Sequence, residues 1–599
     1  MTERLGATLR DGGCHFVVWA PRPRIVALHR PGHADVPMER DGEGYARVHV
    51  DGMRAGDRYA YRLDGGHPRP DPASRWQPDG VHGLSAVVDA SVFAWTHDGP
   101  VAPPLTDLVL YELHVGTFTA EGTFDQATRA FDGLRDLGVN ALEPLPIGQF
   151  PGDRNWGYDG VQPFAVQESY GGPEAFRRFV DAAHGAGLGV VLDVVYNHLG
   201  PEGNYLAEFG PYFTDRHRTP WGAALNFDRP DSDHVRHYFL ENALMWLHEY
   251  HVDGLRLDAV HAIQDSSAYP FLAELADVVH GAAVELGRRG YVIAESNLND
   301  PRVIRPLAQG GWGHDAQWSD DFHHALHSAL TGERNGYYAD YGTLEHLATA
   351  YGRGFVYAGE HSTFRKGRYG ARPDGVRGEQ LVVSTQTHDQ VGNRLQGERL
   401  ASLVGFEELK LAAVAMLCGP FTPMLFMGEE HGEQAPFGFF TSHGDTELIG
   451  AVGRGRVYEF AAFDWHGEIP DPQSEATFQM SVLTPPERWT DEQRTLRRLH
   501  AELLRLRRTM PGLRDRSLDA TLVRVEPAEV LVVRRLGPPD ALLVLALAGD
   551  TEVDVAGTWR TVLDTASAEW SGPGSERPDV ITDRMPVRGR SAVLLERGT

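Results

Sequence analysis

At 599 residues the chain exceeds the roughly 250–300 residues that one hydrophobic core can serve, so about two to four domains are expected. It is 42% hydrophobic and 10% aromatic, ample for packed cores, yet no apolar run nears the roughly 20 residues of a membrane helix. The formal charge of −27, from 83 acidic against 56 basic residues, argues against nucleic acid or anionic membrane partners, whose phosphates need a basic face.

Such a balance is compatible with a neutral ligand such as a sugar, although acidity also serves solubility alone. The N-terminal stretch MTERLGATLRDGG carries no apolar signal-peptide region. The two cysteines, Cys14 and Cys418, make neither a disulfide framework nor a Cys-rich metal site. A soluble cytoplasmic protein, monomeric or homodimeric, is the economical expectation.

Residues 1 to about 92 read as short strands with a two-residue period, broken by Gly, Asp and Pro: HFVVWAP, IVALHRPG, GYARVHVDG and DRYAYRLDG. That pattern predicts a small immunoglobulin-like β-sandwich, and with the Pro/Asp-rich connectors that follow it fills residues 1–104. From Leu108 apolar strand-like runs alternate with amphipathic helical stretches, the mark of βαβ units and a parallel sheet. Predicted strands are 108–114, 139–146, 189–198, 252–260, 291–296, 381–389 and 422–430, with a weaker one at 314–320. Eight units close into a (β/α)8 barrel, assigned to residues 105–514. Its surplus length falls after His198 and between 330 and 380. Residues 491–510 form a last amphipathic helix, and 515–599 return to β-like runs expected to make a C-terminal all-β domain, a second sandwich.

In such a barrel the polar groups at the C-terminal strand ends face the active site. The third predicted strand ends in Asp193, Asn197 and His198, the fourth in Arg256, Asp258 and His261, the fifth in Glu295, and the seventh in His388 and Asp389. Taken singly, an acid at a strand end is usually a loop cap, a histidine a hydrogen-bonded structural group, and an Arg–Asp pair a salt bridge. Together on successive strand ends they suit glycosidic cleavage, whose oxocarbenium-like centre is stabilised by anions. A retaining enzyme needs one carboxylate as nucleophile and one protonated carboxyl as acid and later base. Arg256 lies two residues before Asp258 on the same strand face, which suits Asp258 as nucleophile. Glu295 follows the apolar run YVIA, where desolvation raises a carboxyl pKa, which suits the acid/base. Asp389 remains to bind sugar hydroxyls.

At these residues the sequence resembles the α-amylase superfamily, glycoside hydrolase family 13. DVVYNH (193–198), GLRLDAVH (254–261), VIAES around Glu295 and QTHDQ (386–390) look like its four signature regions in order, and WGYD (156–159) like the segment whose tyrosine stacks on the reacting sugar. The resemblance implies a retaining double displacement, with Tyr158, Trp156, His198, Arg256, His261 and His388 about the reacting sugar and Asp193 supporting Arg256. Longer stretches, 317–342, 386–394, 428–440 and 469–478, are similar to its trehalose-releasing subfamily. That implies hydrolysis of the α-1,4 bond next to the terminal trehalose of maltooligosyltrehalose. Other superfamily members bind calcium near the asparagine corresponding to Asn197. One asparagine does not supply the six to eight oxygens calcium takes, so Asn197 is expected to be a structural hydrogen-bonder, with no metal and no cofactor. The rival readings are a glycogen branching or debranching enzyme and a non-catalytic glucan-binding protein.

Overall fold

The computed structural model of the chain describes residues 4–97, 99–461, 467–575 and 577–598. Its centre is a closed barrel of eight parallel strands in sequential order. They are β1 (Leu110–Leu113), β2 (Ala141–Pro144), β3 (Gly189–Val194), β4 (Gly254–Leu257), β5 (Tyr291–Ala294), β6 (Ala316–Trp318), β7 (Leu381–Val383) and β8 (Thr422–Phe426). Each sits inside a predicted run but is shorter, because residues at one or both ends of the run leave the pleat for the connecting loops. The last run departs furthest: His388 and Asp389 lie in the first turn of a short helix, His388–Gly392, whose cap Thr387 accepts from the Asp389 amide at 3.2 Å.

Strand alternation explains the site's location. Leu110, Ala141, Val191, Ile293, Ala316, Val382 and Met424 share one buried cluster that fills the barrel. Side chains two residues further along a strand point the same way. The next inward positions after Leu110, Ala141, Val191, Ile293 and Ala316 are Glu112, Glu143, Asp193, Glu295 and Trp318. A polar layer is thereby stacked directly on an apolar one. Glu112 and Glu143 are paired in register, as are Asp193 and Arg256.

The outer helices bury one stripe each. Helix Asp491–Thr509 starts in a capping box in which Thr490 and Gln493 exchange hydrogen bonds, and it buries Leu496, Leu499, Leu503 and Leu506. Each such leucine contributes about 1.5–3 kcal/mol of burial. The predicted insertions are present after β3, where Phe213–Thr219 and Gly222–Leu225 form a hairpin, and between β6 and β7. A third insertion after β8, holding helix Thr446–Ala461, was not apparent in the sequence.

The N-terminal region is two antiparallel sheets. It docks on the barrel where Trp19 stacks on His234 at 4.9 Å and the Tyr238 hydroxyl donates to the Pro72 carbonyl. The C-terminal strands, expected to make a two-sheet sandwich, instead form one six-stranded sheet. Strand Thr551–Asp564 carries two register shifts, between Asp554 and Thr558 and between Thr561 and Leu563. Such shifts bend a strand, which lets the sheet curl so that Val553, Trp559, Ile581 and Met585 cover its own Val532, Val544 and Val593. The opposite face, with Leu531, Leu543 and Leu594, joins the barrel core.

Candidate active site

Arg256, at the end of β4, is completely buried and organises the barrel mouth. Its Nη1 donates to Asp193 Oδ1 and Oδ2 and to Asp258 Oδ1, all at 2.9 Å. Its guanidinium lies over the Trp318 ring, 4.1 Å from the centroid. Nη2 faces Glu295 Oε2 at 3.8 Å and makes no hydrogen bond among the described residues. Burial disfavours the cation, but the nearby carboxylates, Asp193 foremost and then Asp258, outweigh it and hold the guanidinium charged.

Asp258 accepts a second, short hydrogen bond of 2.6 Å from Asn197 Nδ2, which also donates to the Asp258 carbonyl. Asn197 is therefore a structural hydrogen-bonder, as expected, but the group it holds is the candidate nucleophile. Its other amide atom faces His198 Nδ1. Among the described residues no three His, Cys, Asp or Glu side chains are arranged to hold a metal ion.

Glu295 follows β5, and its Oε2 accepts from the amide of Ala259, the residue after Asp258, at 2.5 Å. Ala259 has a φ of 40°, a left-handed conformation costly for a residue with a Cβ, and this turns its N–H toward Glu295. Burial carries the Glu295 pKa up to about 8; Arg256 opposes the shift, while Asp258 and Asp389 reinforce it. A carboxyl protonated at neutral pH and an ionised partner held by arginine are the two states that acid and nucleophile require. Asp389 is the open member of the trio, 47% exposed at its side chain. Asn393 donates to its Oδ1 at 3.3 Å, and Arg456, from the insertion after β8, donates in turn to Asn393.

Tyr158 stacks on His388 with ring centroids 5.2 Å apart, and its hydroxyl lies 2.8 Å from both Asp193 Oδ2 and His388 Nε2. His198 is buried beneath the half-exposed Trp221, whose ring stacks on it at 4.5 Å. His261 sits on the turn Val260–Ala262 beside Asp258, where burial lowers its pKa. Trp156 is a correction. It is buried, stacked on Phe437 at 5.4 Å, and its indole N–H is taken by the Gly438 carbonyl. It supports the His388 ring edge-on from behind and offers no face to a sugar.

The sequence reading missed Glu112, Glu143, Trp318 and Asp320. Glu112 holds both the main chain and the ring of His388, at 2.9 and 2.6 Å. Burial pushes Glu143 well above the usual carboxyl range and carries Asp320 up to about 7. The inward phase of β1 and β2, fixed by Leu110 and Ala141, was the available signal for Glu112 and Glu143.

The family profile "Alpha amylase, catalytic domain" matches residues 93–221. A malto-oligosyltrehalose trehalohydrolase from Saccharolobus solfataricus is 49% identical over 479 residues, which is 80% of this chain and 83% of that protein. The chain belongs to this trehalohydrolase family. The Arthrobacter ramosus member is 48% identical, over 87% of this chain and 93% of its own. A 1,4-alpha-glucan branching enzyme from Jannaschia is 30% identical and covers only 53% of this chain and 51% of itself. Among solved structures, one from Salmonella typhimurium assigned as an α-amylase matches with a TM-score of 0.90 and 36% identity, each chain fully covered. Pullulanase from Bacillus acidopullulyticus, at 16% identity and a TM-score of 0.69 over 99% of this chain and 75% of its own, shares the fold alone. No helix among the described residues is long and apolar enough to cross a membrane.

Proposed function

We propose that this protein hydrolyses the α-1,4-glucosidic bond next to the terminal trehalose of maltooligosyltrehalose, releasing trehalose and a maltooligosaccharide by a retaining double displacement. The family supports the substrate, since the relatives similar over most of the chain carry that name. The observation that carries the mechanism is the shared guanidinium. Asp258 and Glu295 both face Arg256, and Glu295 is tied to the amide following Asp258. A retaining enzyme needs two carboxyls at one site, one as nucleophile and one as acid and then base, and the shared guanidinium brings Asp258 and Glu295 to the same site.

In the first step Glu295 gives its proton to the bridging oxygen while Asp258 Oδ attacks the anomeric carbon, and trehalose leaves. Arg256 Nη2, without a hydrogen bond of its own among the described residues, is placed to stabilise Glu295 as it becomes anionic. Glu295 then takes a proton from water, which releases the sugar from Asp258. Asp389, open to the cleft, binds hydroxyls of the reacting ring, and His198, His388 and Tyr158 line its pocket.

Incubation of the purified protein with maltooligosyltrehalose is expected to give free trehalose. No trehalose, together with a changed iodine stain of amylose or cleavage of a branched glucan, would favour the branching or debranching reading instead.

A further inference from the structure

A continuous hydrogen-bonded chain crosses the floor of the site, and its direction can be read from the chemistry of its members. Glu112, on β1, is buried and can only accept as a carboxylate. Its Oε2 takes the His388 amide at 2.9 Å and its Oε1 faces Nδ1 at 2.6 Å, so Nδ1 carries a proton. At the other end, the Tyr158 hydroxyl donates to Asp193 Oδ2, itself an acceptor from Arg256. That hydroxyl has one hydrogen, so toward His388 Nε2, also at 2.8 Å, it must accept. Both ring nitrogens therefore donate, and the ring is an imidazolium. Arg256 extends the chain to Asp258.

We propose that Glu112 is a positioning residue for this reaction: through His388 and Tyr158 it fixes the hydrogen-bond direction that reaches Asp193, Arg256 and the nucleophile. The proposal rests on the retaining glycosidase reading above. Without the Glu112 charge, His388 would relax to the neutral Nδ1–H tautomer. Tyr158 would then turn its hydrogen to the bare Nε2, and Asp193 would lose a donor and pull Arg256 away from Asp258.

The other charged and titratable groups facing His388 are Asp389 on its own helix, Arg256 from β4, Asp193 from β3, Glu143 from β2, His114 after β1 and the Tyr158 hydroxyl. Burial opposes the imidazolium, and Arg256 does so too, but Glu112 and Asp389 prevail and raise the pKa to about 9. Glu112 is the nearer of those two, at 2.6 Å against 3.5 Å from Asp389 Oδ1.

The test compares wild type, Glu112→Gln and Glu112→Asp as full-length proteins on maltooligosyltrehalose from pH 5 to 9. Glu112→Gln keeps the shape and an acceptor for Nδ1–H but removes the charge. Its kcat should fall about tenfold or more at pH 8 and recover most of the loss below pH 6, where His388 charges again. The alkaline limb should move down by about one pH unit or more, with KM little changed. Glu112→Asp should lie between the two, and serves as the test variant should the glutamine protein fail to fold. Superimposable profiles, or an equal loss at every pH, would overturn the proposal. If wild type cleaves another α-glucan but releases no trehalose, the substrate reading fails alone, and the same comparison on that glucan still decides the role of Glu112.

Discussion

One nitrogen of Arg256, Nη1, serves Asp193 and the proposed nucleophile Asp258 at the same 2.9 Å, inside a barrel where the guanidinium has no solvent contact. Lysine retains the charge but not the planar fork that spans several acceptors. Arg256→Lys should therefore lower kcat by about 10²–10³, the loss typical of a preorganised donor, while wild-type circular dichroism is retained. Steady-state kinetics with a parallel melting curve checks this.

The two carboxyls should separate by leaving group. Glu295→Gln removes the acid, so cleavage of maltooligosyltrehalose should fall by about 10²–10⁴. An α-glucosyl fluoride, whose leaving group needs no protonation, should still react with Asp258 and accumulate a covalent glycosyl-enzyme visible by mass spectrometry. Asp258→Asn should abolish reaction with both substrates.

Asn197→Ala probes the second hold on the nucleophile. A hydrogen bond to a charged group is worth about 1.5–3 kcal/mol, so kcat should drop roughly ten- to a hundredfold. Burst and steady-state rates on one substrate would register the loss.

The raised pKa of Glu295 makes two pH predictions. Activity requires its protonated form, so the alkaline limb of kcat should fall near pH 8. Stability follows the same proton. The native state retains a proton that the unfolded chain releases near 4.5, so this group's contribution declines as pH rises from about 4.5 to 8. Glu295→Gln removes that penalty and should melt higher than wild type at pH 8, by on the order of 1–3 kcal/mol, with little difference at pH 5. His388 acts in the same direction at higher pH. Its stabilisation is complete below 6.5 and lost as pH passes about 9. Melting curves of wild type and Glu295→Gln across pH 5–9 test the pair.

All eight barrel strands were legible because apolar runs alternating with helical stretches report a parallel sheet directly. Arg256 and Asp258 were legible because they sit two residues apart on one strand face, and Asp193, Glu295 and Asp389 because each ends a predicted apolar strand run. Glu112 obeys the same rule, two residues after Leu110, yet a single glutamate inside YELH carries no partner nearby in sequence; its partner His388 lies across the barrel. Trp156 was misjudged for the converse reason. Its neighbour Tyr158 faces the site, but the loop turns Trp156 onto Phe437, a contact set by an insertion far along the chain. The curled C-terminal sheet depended on register shifts in one long strand, which alternation alone does not reveal.

The most direct test of the central claim is time-resolved proton NMR of maltooligosyltrehalose digestion. The account predicts free trehalose together with a maltooligosaccharide whose new reducing end first appears as the α-anomer. Appearance of the β-anomer first, or consumption of substrate without trehalose, would contradict it.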